Sequence, residues 1–281
     1  MKSPTVSSAM PSAGPAVPVR RSRQAGGVLD SPTILGGLGF AIFFGLLEAV
    51  YYSGILPARE FPAAHTVVWT LFELVADQGL WTAAGETLRQ AGAALLLGSL
   101  VAIPLGLAIG SSELAWKSLR PTIEFLRPIP SVALLPMVVL VWGSGPASAI
   151  LIAALGVNWI MLIHAIYGVR EVDPKLRLAA RAYNLDRLRT LVFVILPSAV
   201  PLIATGVRVA SSVSLILVVA TQLVLGTPGL GQMMITAQNS IATAQVYALV
   251  MVTGLLGVII HVAFSVLERR AAPWRVHGES G

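Results

Sequence analysis

Apolar residues run along this chain in long blocks that are separated by shorter polar segments. A helix needs about 20 mainly apolar residues to cross roughly 30 Å of hydrocarbon. The blocks that reach or approach this length are 34–56, 92–110, 129–143, 147–169, 201–225 and 246–267. The third block is short and contains Pro136, so a kinked span and a partly re-entrant one both remain open. The pattern predicts an all-α membrane protein with about six transmembrane helices.

The composition agrees with this prediction. Hydrophobic residues make up 56% of the 281 residues and charged residues only 11%. A soluble globular protein carries about 25% charged residues. So few charges cannot cover a water-facing surface, which excludes a soluble enzyme and a disordered chain. The absence of cysteine excludes a disulfide scaffold, thiolate zinc sites and iron–sulfur clusters, and we expect neither a metal site nor a cofactor.

The net charge of +6 is unevenly distributed along the chain. In a six-span arrangement, most of the basic residues fall on one side: Lys2, Arg20, Arg21, Arg23, Lys117, Arg120, Arg127, Arg170, Lys175, Arg177, Arg181, Arg187, Arg189, Arg269, Arg270 and Arg275. The other side has only Arg59 and Arg89, and Arg208 falls within the fifth span. Basic residues mark the cytoplasmic side of membrane proteins. We therefore expect both termini to be cytoplasmic, and the charge gives no reason to predict nucleic-acid binding.

The remaining segments predict a simple domain organisation. Residues 1–30 are rich in Ser, Pro, Ala and Gly and are expected to form a disordered cytoplasmic tail. Residues 31–270 form the transmembrane domain, and 271–281 a cytoplasmic C-terminal tail. A cleavable signal peptide is less favoured for the N-terminus, because the first apolar run begins only near Ile34 and is long enough to span. No G-x-x-x-x-G-K-[ST] motif is present, so any energy from ATP must come from another subunit.

The segment between the fourth and fifth blocks has the signals of two short helices. Asp173 and Pro174 are typical of a helix start, and Asn184 tolerates the left-handed backbone with which helices end. Asp186 can cap a second helix, which we expect to end at Leu196-Pro197. The small residues of the first helix lie on one side and arginines surround them. The segment is either an ordinary basic loop or a rigid element that docks into a partner's groove.

Several motifs in fixed order resemble one family. Ala179-Ala180, three residues, Asn184, nine residues, then Val194-Ile195-Leu196-Pro197 resembles the signature loop of bacterial ABC-importer permeases. The family pattern has Glu where this chain has Leu178, and Gly where it has Asn184. The runs 125–136, 168–176, 206–208, 229–231 and 267–270 resemble the nitrate/sulfonate/taurine branch of these permeases. The resemblance extends from about residue 46 to residue 275.

The resemblance implies a fold, a function and partners. It implies a type I ABC-importer permease in the bacterial inner membrane. Such a permease is not an enzyme; it forms a dimer, docks on separate ATPase subunits and receives its substrate from a solute-binding protein outside the membrane. It would move a small solute, for this branch an anion such as nitrate, a sulfonate or taurine, into the cytoplasm by alternating access. The implied coupling residues are Asp173, Leu178, Ala179, Ala180, Arg181, Asn184, Asp186 and Arg187.

Polar residues inside the spans are candidates for the translocation path. Such residues are costly in lipid unless they face protein or water. We select Asn158, Arg208, Ser212, Gln222 and Gln232. Two alternatives stay open here, because Ser often bonds the backbone of its own helix and an Arg near a span end can reach the headgroups. The deep acid Glu48 could pair with an Arg, line an interface or lie at the headgroup level.

Two other functions for such a chain are less favoured. An ATP-independent secondary transporter usually places ionisable residues at mid-membrane and is often built from inverted repeats. Only Glu48 and Arg208 meet the first condition, and no inverted repeat is evident. An intramembrane serine protease would need Gly-x-Ser-Gly within a span, but Gly110-Ser111-Ser112-Glu113, at a span end, lacks the last Gly, and no His-Glu-x-x-His motif is present for a zinc site.

Overall fold

The computed structural model describes residues 32–57 and 59–271, and within these ranges the regular structure is entirely helical. The predicted tail 1–30 and nearly all of 271–281 lie outside the described residues. The α-helices, in chain order, are α1 (Pro32–Tyr52), α2 (Ala64–Ala76), α3 (Gln78–Ser111), α4 (Glu113–Leu126), α5 (Leu135–Trp142), α6 (Pro146–Arg170), α7 (Pro174–Ala182), α8 (Arg187–Thr190), α9 (Leu196–Leu225), α10 (Leu230–Asn239) and α11 (Thr243–Ala271). A 3-10 turn, Ser131–Leu134, precedes α5, and a π-helix, Leu191–Ile195, joins α8 to α9.

The chain divides between Leu47 and Glu48 into two compact units. In the first unit the structure describes residues 32–47 of α1, where apolar side chains such as Leu35 and Leu46 are exposed. The second unit contains the rest of the described chain, and all packing considered below belongs to it.

Within the described residues, four helical stretches are long and apolar enough to cross a membrane: α3, α6, the α8–α9 run (Arg187–Leu225) and α11 up to Arg270. Helix α4 and the stretch Ser131–Trp142 would make a fifth, broken span, bent by 79°. The apolar stretch Gly37–Tyr52 is shorter than these. The chain is therefore a multi-pass membrane protein. The 129–143 block turns away from α4 at its start, as both a kinked span and a re-entrant segment would.

The start of α3 differs from the prediction. The apolar block begins at Gly92, but the helix begins at Gln78, where the Asp77 carboxylate accepts a hydrogen bond from the Gly79 N–H at 3.0 Å. The added turns bury Leu80 and Ala84. Hydropathy alone misses this segment, because Thr82, Glu86, Thr87, Arg89 and Gln90 lower its mean hydropathy.

Helices α3, α6 and α9 form the centre of the second unit. Much of α6 is buried, including Val157 and Ile166. Helix α3 approaches it closely, so that a Cβ at Gly98 would lie 2.7 Å from the Ala154 carbonyl oxygen. Small residues permit such close helix packing in membranes, where dispersion contacts replace the hydrophobic effect.

Glu48 has a structural partner. Its Oε1 lies 2.7 Å from His65 Nδ1, and its Oε2 accepts a hydrogen bond from the Ala64 N–H at 2.8 Å. The carboxylate therefore satisfies the free backbone donor at the start of α2. This pairing with a histidine is none of the alternatives that the sequence left open.

Candidate functional site

The segment from Asp173 to Ile195, here called the connecting segment, joins α6 to α9. Its first helix begins as predicted, because the Asp173 carboxylate accepts a hydrogen bond from the Lys175 N–H at 2.8 Å. Asn184 leaves the helix with a φ of +53°, in the left-handed region that Asn tolerates. Asp186 then caps α8 by accepting from the Arg189 N–H at 2.7 Å. The helix–turn–helix prediction is confirmed.

The predicted end of the second helix at Leu196-Pro197 is wrong. Helix α8 passes through the π-helix into α9 without a break, and the Leu196 N–H donates to the Leu191 carbonyl. Pro197 falls in the first turn of α9, where the ring is tolerated and its missing N–H costs little. The connecting segment is therefore continuous with a membrane-spanning helix, so that a displacement of α8 would be passed directly to α9.

Helix α7 has one inward and one outward face. Ala180 is only 2% exposed, whereas Leu178 is 62% and Tyr183 is 82% exposed. Ala179 is exposed as well, so the structure separates the two alanines that the sequence analysis placed on one side. On the inward side, the Arg177 guanidinium donates to the Val169 carbonyl at 2.5 Å. The outward face therefore presents small and apolar side chains without a partner in the described chain.

An aromatic and ionic cluster fixes the base of the connecting segment. Arg170, the last residue of α6, donates to the Glu113 carboxylate at 2.9 Å. The Trp116 ring lies between two guanidinium groups, 5.2 Å from that of Arg170 and 5.7 Å from that of Arg120. Cation–π and ion-pair contacts together hold the start of α4 against the end of α6.

A second polar group, here called the polar clasp, lies among α3, α9 and α10. It consists of the fully buried side chains of Thr87, Gln90 and Gln222 and the backbone of 228–231. Gln222 Nε2 donates to Gln90 Oε1 at 3.1 Å, and Gln222 Oε1 accepts from the Gly231 N–H at 3.1 Å. Thr87 Oγ1 accepts from the Leu230 N–H at 2.9 Å. The clasp ties the turn after α9 to α3.

The glycines of the clasp leave room only for the Gln222 side chain. A Cβ at Gly229 would collide with the Gln222 amide, and one at Gly231 would lie 2.6 Å from the Val219 carbonyl oxygen. Gly229 also has a φ of +146°, which other residues rarely adopt. Gln222, selected from the sequence as a path residue, is thus buried and hydrogen-bonded inside the chain.

Arg208, another predicted path residue, forms an ion pair inside the chain. Its Nε lies 2.9 Å from Glu268 Oε2, and the Thr205 hydroxyl donates to the other carboxylate oxygen at 2.5 Å. This pair joins α9 to α11. The guanidinium of Arg208 is therefore already paired with a carboxylate. A role of Arg208 in the path stays a prediction.

The other predicted path residues lie in three different places. Ser212 lines an apolar groove of about 620 Å³ between α9 and α11, and Gln232 lines a separate cavity of about 670 Å³ with Glu86 and Arg89. Asn158 Oδ1 is buried and has no hydrogen-bond partner within the described chain. The structure does not bring the five selected residues together.

A cavity of about 390 Å³ lies between the 3-10 turn, α6 and α9. Its polar groups come from Arg127, Ser131, Trp159 and His164, and the rest of its wall is aliphatic. His164 Nδ1 lies 2.8 Å from the Ile160 carbonyl oxygen. That bond makes Nδ1 the protonated nitrogen and directs Nε2 away from its own helix backbone. The arrangement offers a cation and hydrogen-bonding groups in a mainly apolar cavity.

Arg127, Ser131 and His164 were not among the path candidates selected from the sequence. Each looked ordinary alone, since Arg127 reads as a topological charge and His164 as a residue near a span end. The available signal was periodicity, because 156, 159, 160, 163 and 164 share one face of α6. Distance in the chain hid the rest, as α6 and the turn at Ser131 meet only after folding.

The family model for a binding-protein-dependent transport system inner membrane component matches residues 94–273. The taurine transport system permease protein TauC of Escherichia coli (strain K12) is 34% identical over 78% of this chain and 80% of the relative. A putative aliphatic sulfonates permease protein, SsuC of Bacillus subtilis (strain 168), is 28% identical over 84% and 85%. The nitrate import permease protein NrtB of Leptolyngbya laminosa is 28% identical over 70% and 71%.

Solved structures share the fold. A chain of the MetNI methionine ABC transporter in an inward-facing conformation superposes with a TM-score of 0.60 at 20% identity, over 72% of this chain and 98% of that one. A chain of an amino acid ABC transporter with histidines gives 0.58 at 18% identity, over 68% and 94%. The expected type I importer fold is confirmed, as is a permease rather than an enzyme. The chain belongs to the family of binding-protein-dependent transport system inner membrane components, the permease subunits of ABC importers.

Proposed function

We propose that this permease carries a small oxyanion into the cytoplasm and is driven by ATP hydrolysis on a separate subunit. It would work as a homodimer in the inner membrane, with both termini cytoplasmic, and receive its substrate from a solute-binding protein outside. The single observation that carries the coupling step is the outward face of α7, an exposed small and apolar surface on a capped helix that the turn at Asn184 joins to the α8–α9 run.

The coupling residues divide into two groups by their contacts. Asp173, Asn184 and Asp186 shape the connecting segment through caps and a left-handed turn, and buried Ala180 seats α7 against the membrane domain. The exposed residues are proposed to contact the ATPase: Leu178, Ala179, Arg181 and Arg187. A stiff element with one seated face and one free face can transmit the closure of an ATPase pair as a tilt of α9.

The docking step is tested with Ala179→Asp, which places a charge on the outward face of α7. The chain is purified in mild detergent with a P-loop ATPase encoded by a neighbouring gene, and the ATPase retained is measured. We expect retention to fall by at least tenfold while the elution profile of the permease stays unchanged, because a buried unpaired carboxylate at an interface costs several kcal/mol.

The matched control is Thr236→Asp, which puts the same charge on an exposed residue of α10, outside the connecting segment. This variant should retain the ATPase like the wild type. If both variants lose the ATPase equally, α7 is not the docking element. If the wild type retains no ATPase at all, the ATP-independent secondary transporter becomes the better function.

We place the substrate path along the cavity of Arg127, Ser131, Trp159 and His164. The Arg127 guanidinium, the Ser131 hydroxyl and the Trp159 indole N–H can donate hydrogen bonds to an oxyanion, while the aliphatic wall avoids binding it too tightly to release it. Asn158, on the same helix, has a side-chain Oδ1 without a hydrogen-bond partner in the described chain, and it stays a candidate path residue. Arg208 and Gln222 have internal partners, and we assign them to structure.

The path is tested with Arg127→Gln in proteoliposomes that contain the ATPase and the binding protein. We expect anion uptake to fall by roughly tenfold, as expected for the loss of one charge-assisted hydrogen bond, with ATPase retention unchanged. The control Arg269→Gln removes an equal charge from the exposed end of α11 and should leave uptake intact. Equal uptake by Arg127→Gln and wild type would exclude this cavity as the path.

The substrate class rests on relatives named for taurine, aliphatic sulfonates and nitrate. Uptake of labelled taurine, an alkanesulfonate and nitrate is measured separately, each with the binding protein present. Transport of at least one of these anions is expected. Uptake of none of them, in vesicles that still hydrolyse ATP in response to the binding protein, would contradict the substrate class but not the importer mechanism.

A further inference from the structure

A cleft of about 870 Å³, here called the arginine cleft, opens between the end of α3, α7 and α8. Its polar wall contains three arginines and three hydroxyl residues: Arg177, Arg181, Arg187, Ser111, Ser112 and Thr190. The cavity of the proposed substrate path shares none of these residues.

The positive charge of the arginine cleft is not neutralised. Of the acidic residues in the described chain none lines it. Asp173 and Asp186 cap helix starts through the Lys175 N–H and the Arg189 N–H, and Glu113, which follows Ser112, pairs with Arg170 and Lys117. Among the described residues, neither Arg181 nor Arg187 lies within ion-pair distance of a carboxylate. Three guanidinium groups around one cleft repel one another, so an anion that enters it relieves that repulsion.

The shape of the cleft favours a particular anion. Guanidinium groups bind the oxygens of phosphate through paired hydrogen bonds. The lining also contains four aliphatic side chains, those of Leu185, Leu188, Leu191 and Ile195, which suits the start of an acyl chain. Ser111 is the last residue of the membrane-spanning α3, so the cleft lies at the level of the lipid headgroups.

We infer that the arginine cleft binds a phosphate group, and that its source is the headgroup of an anionic phospholipid. The inference rests on the proposed orientation, because the cytoplasmic leaflet carries the anionic lipids, and basic pockets between membrane helices bind their headgroups there. Free phosphate has the same chemistry and is the second source. A bound headgroup would hold α7 and α8 against α3 beside the surface proposed to meet the ATPase.

The inference is tested on the purified full-length chain by native mass spectrometry. Phosphatidylglycerol, phosphatidylcholine and inorganic phosphate are titrated separately onto the wild type and onto the double variant Arg181→Gln/Arg187→Gln. We expect retention of phosphatidylglycerol over phosphatidylcholine by the wild type, and a weakening on the order of tenfold in the variant, since each basic residue contributes roughly equally to headgroup binding.

The control is Arg269→Gln/Arg270→Gln, which removes the same charge from the exposed end of α11 and should keep the lipid. Variants are compared only when their thermal unfolding midpoints match that of the wild type. If Arg181→Gln/Arg187→Gln unfolds, Arg181→Lys/Arg187→Lys replaces it as the test variant. If the wild type binds inorganic phosphate saturably but does not prefer phosphatidylglycerol, and Arg181→Gln/Arg187→Gln loses this phosphate binding, the site is assigned to free phosphate. Undiminished binding in the cleft variant, or equal loss in the control, overturns the inference.

The outcome is independent of the transport assays. Loss of the ATPase alone by the cleft variant, with lipid and phosphate binding unchanged, would leave Arg181 and Arg187 with their proposed docking role only and contradict the site. A wild type that retains phosphatidylglycerol in the arginine cleft but no ATPase would support the lipid site and contradict the proposed function.

Discussion

The polar clasp and the connecting segment are both rich in polar side chains, but these side chains find their hydrogen-bond partners in different ways. In the clasp, three neutral side chains are fully buried and bond to each other and to the backbone of 228–231. In the connecting segment, the acidic side chains cap helix starts while the apolar Leu178 and Tyr183 stay exposed.

The difference shows what each region does. A buried network needs all its partners, because an unpaired polar group in a low-dielectric interior is costly, and the clasp has them within this one chain. A capped helix has its backbone groups satisfied, but its exposed apolar face remains available for a partner to cover. The clasp therefore serves the fold, whereas the connecting segment is suited to a partner.

The largest effect is expected from Ala180→Asp, which would break the seated face of α7. The buried carboxylate would be desolvated, and Arg177 on the same face already donates to the Val169 carbonyl, so the free energy of unfolding should fall by about 3 kcal/mol. Ala179→Asp, one residue earlier but exposed, should change it by less than about 0.5 kcal/mol. Both are measured by denaturant unfolding in mixed micelles, and equal losses would show that α7 has no distinct faces.

The clasp is broken by Gln222→Leu, which leaves Gln90 Oε1 and the Gly231 N–H without partners. The free energy of unfolding should fall by about 2 kcal/mol, because each buried polar group without a hydrogen-bond partner costs part of its desolvation energy. The control Gln238→Leu changes an exposed glutamine of α10 and should be neutral in the same unfolding assay. A neutral Gln222→Leu would mean that water replaces the lost bonds and that the clasp is not part of the fold's stability.

A smaller effect distinguishes two substitutions of Asn184, the left-handed residue of the connecting segment. Asn184→Val should cost about 1 kcal/mol, since a β-branched residue is strained at a φ of +53°. Asn184→Gly, the residue that the family pattern has there, should match or exceed the wild type. The thermal unfolding midpoint of the purified chain checks the order, and a stable Asn184→Val would show that the turn relaxes to another conformation.

The smallest effect is expected from Arg189→Gln. Arg189 Nε lies 3.9 Å from Asp186 Oδ2, and both side chains are exposed, so the pair should contribute less than about 0.5 kcal/mol. Asp186→Ala removes the cap on the Arg189 N–H as well and should cost about 1 kcal/mol. The two unfolding free energies compared side by side separate the cap from the charge, and a larger loss from Arg189→Gln would reverse that assignment.

The parts of the fold that the sequence predicted well depend on local physics. Asp173, Asn184 and Asp186 adopt the expected caps and turn, because a cap needs only its own residue and the next few N–H groups. The span prediction was less exact where amphipathic turns extend a helix, as before Gly92, and where the chain bends by 79° after α4.

The path prediction depended on contacts that no local pattern contains. Gln222 and Arg208 are polar residues in a span, which is why they were selected, but the fold supplies each with a distant partner. Thr87 lies 135 residues from Gln222 along the chain, and Glu268, the partner of Arg208, belongs to another helix, α11. Whether such a residue faces a path or a neighbouring helix is decided by packing.

The sequence by itself determined the membrane environment, the helices and the local geometry of the connecting segment, because hydropathy and capping act over one span or one turn. Only the tertiary structure decided which alanine of α7 is seated and which is free. It also decided which polar groups close on each other in the clasp and which arginines face an open cleft. These outcomes depend on which helices meet, and that is a property of the whole packed chain.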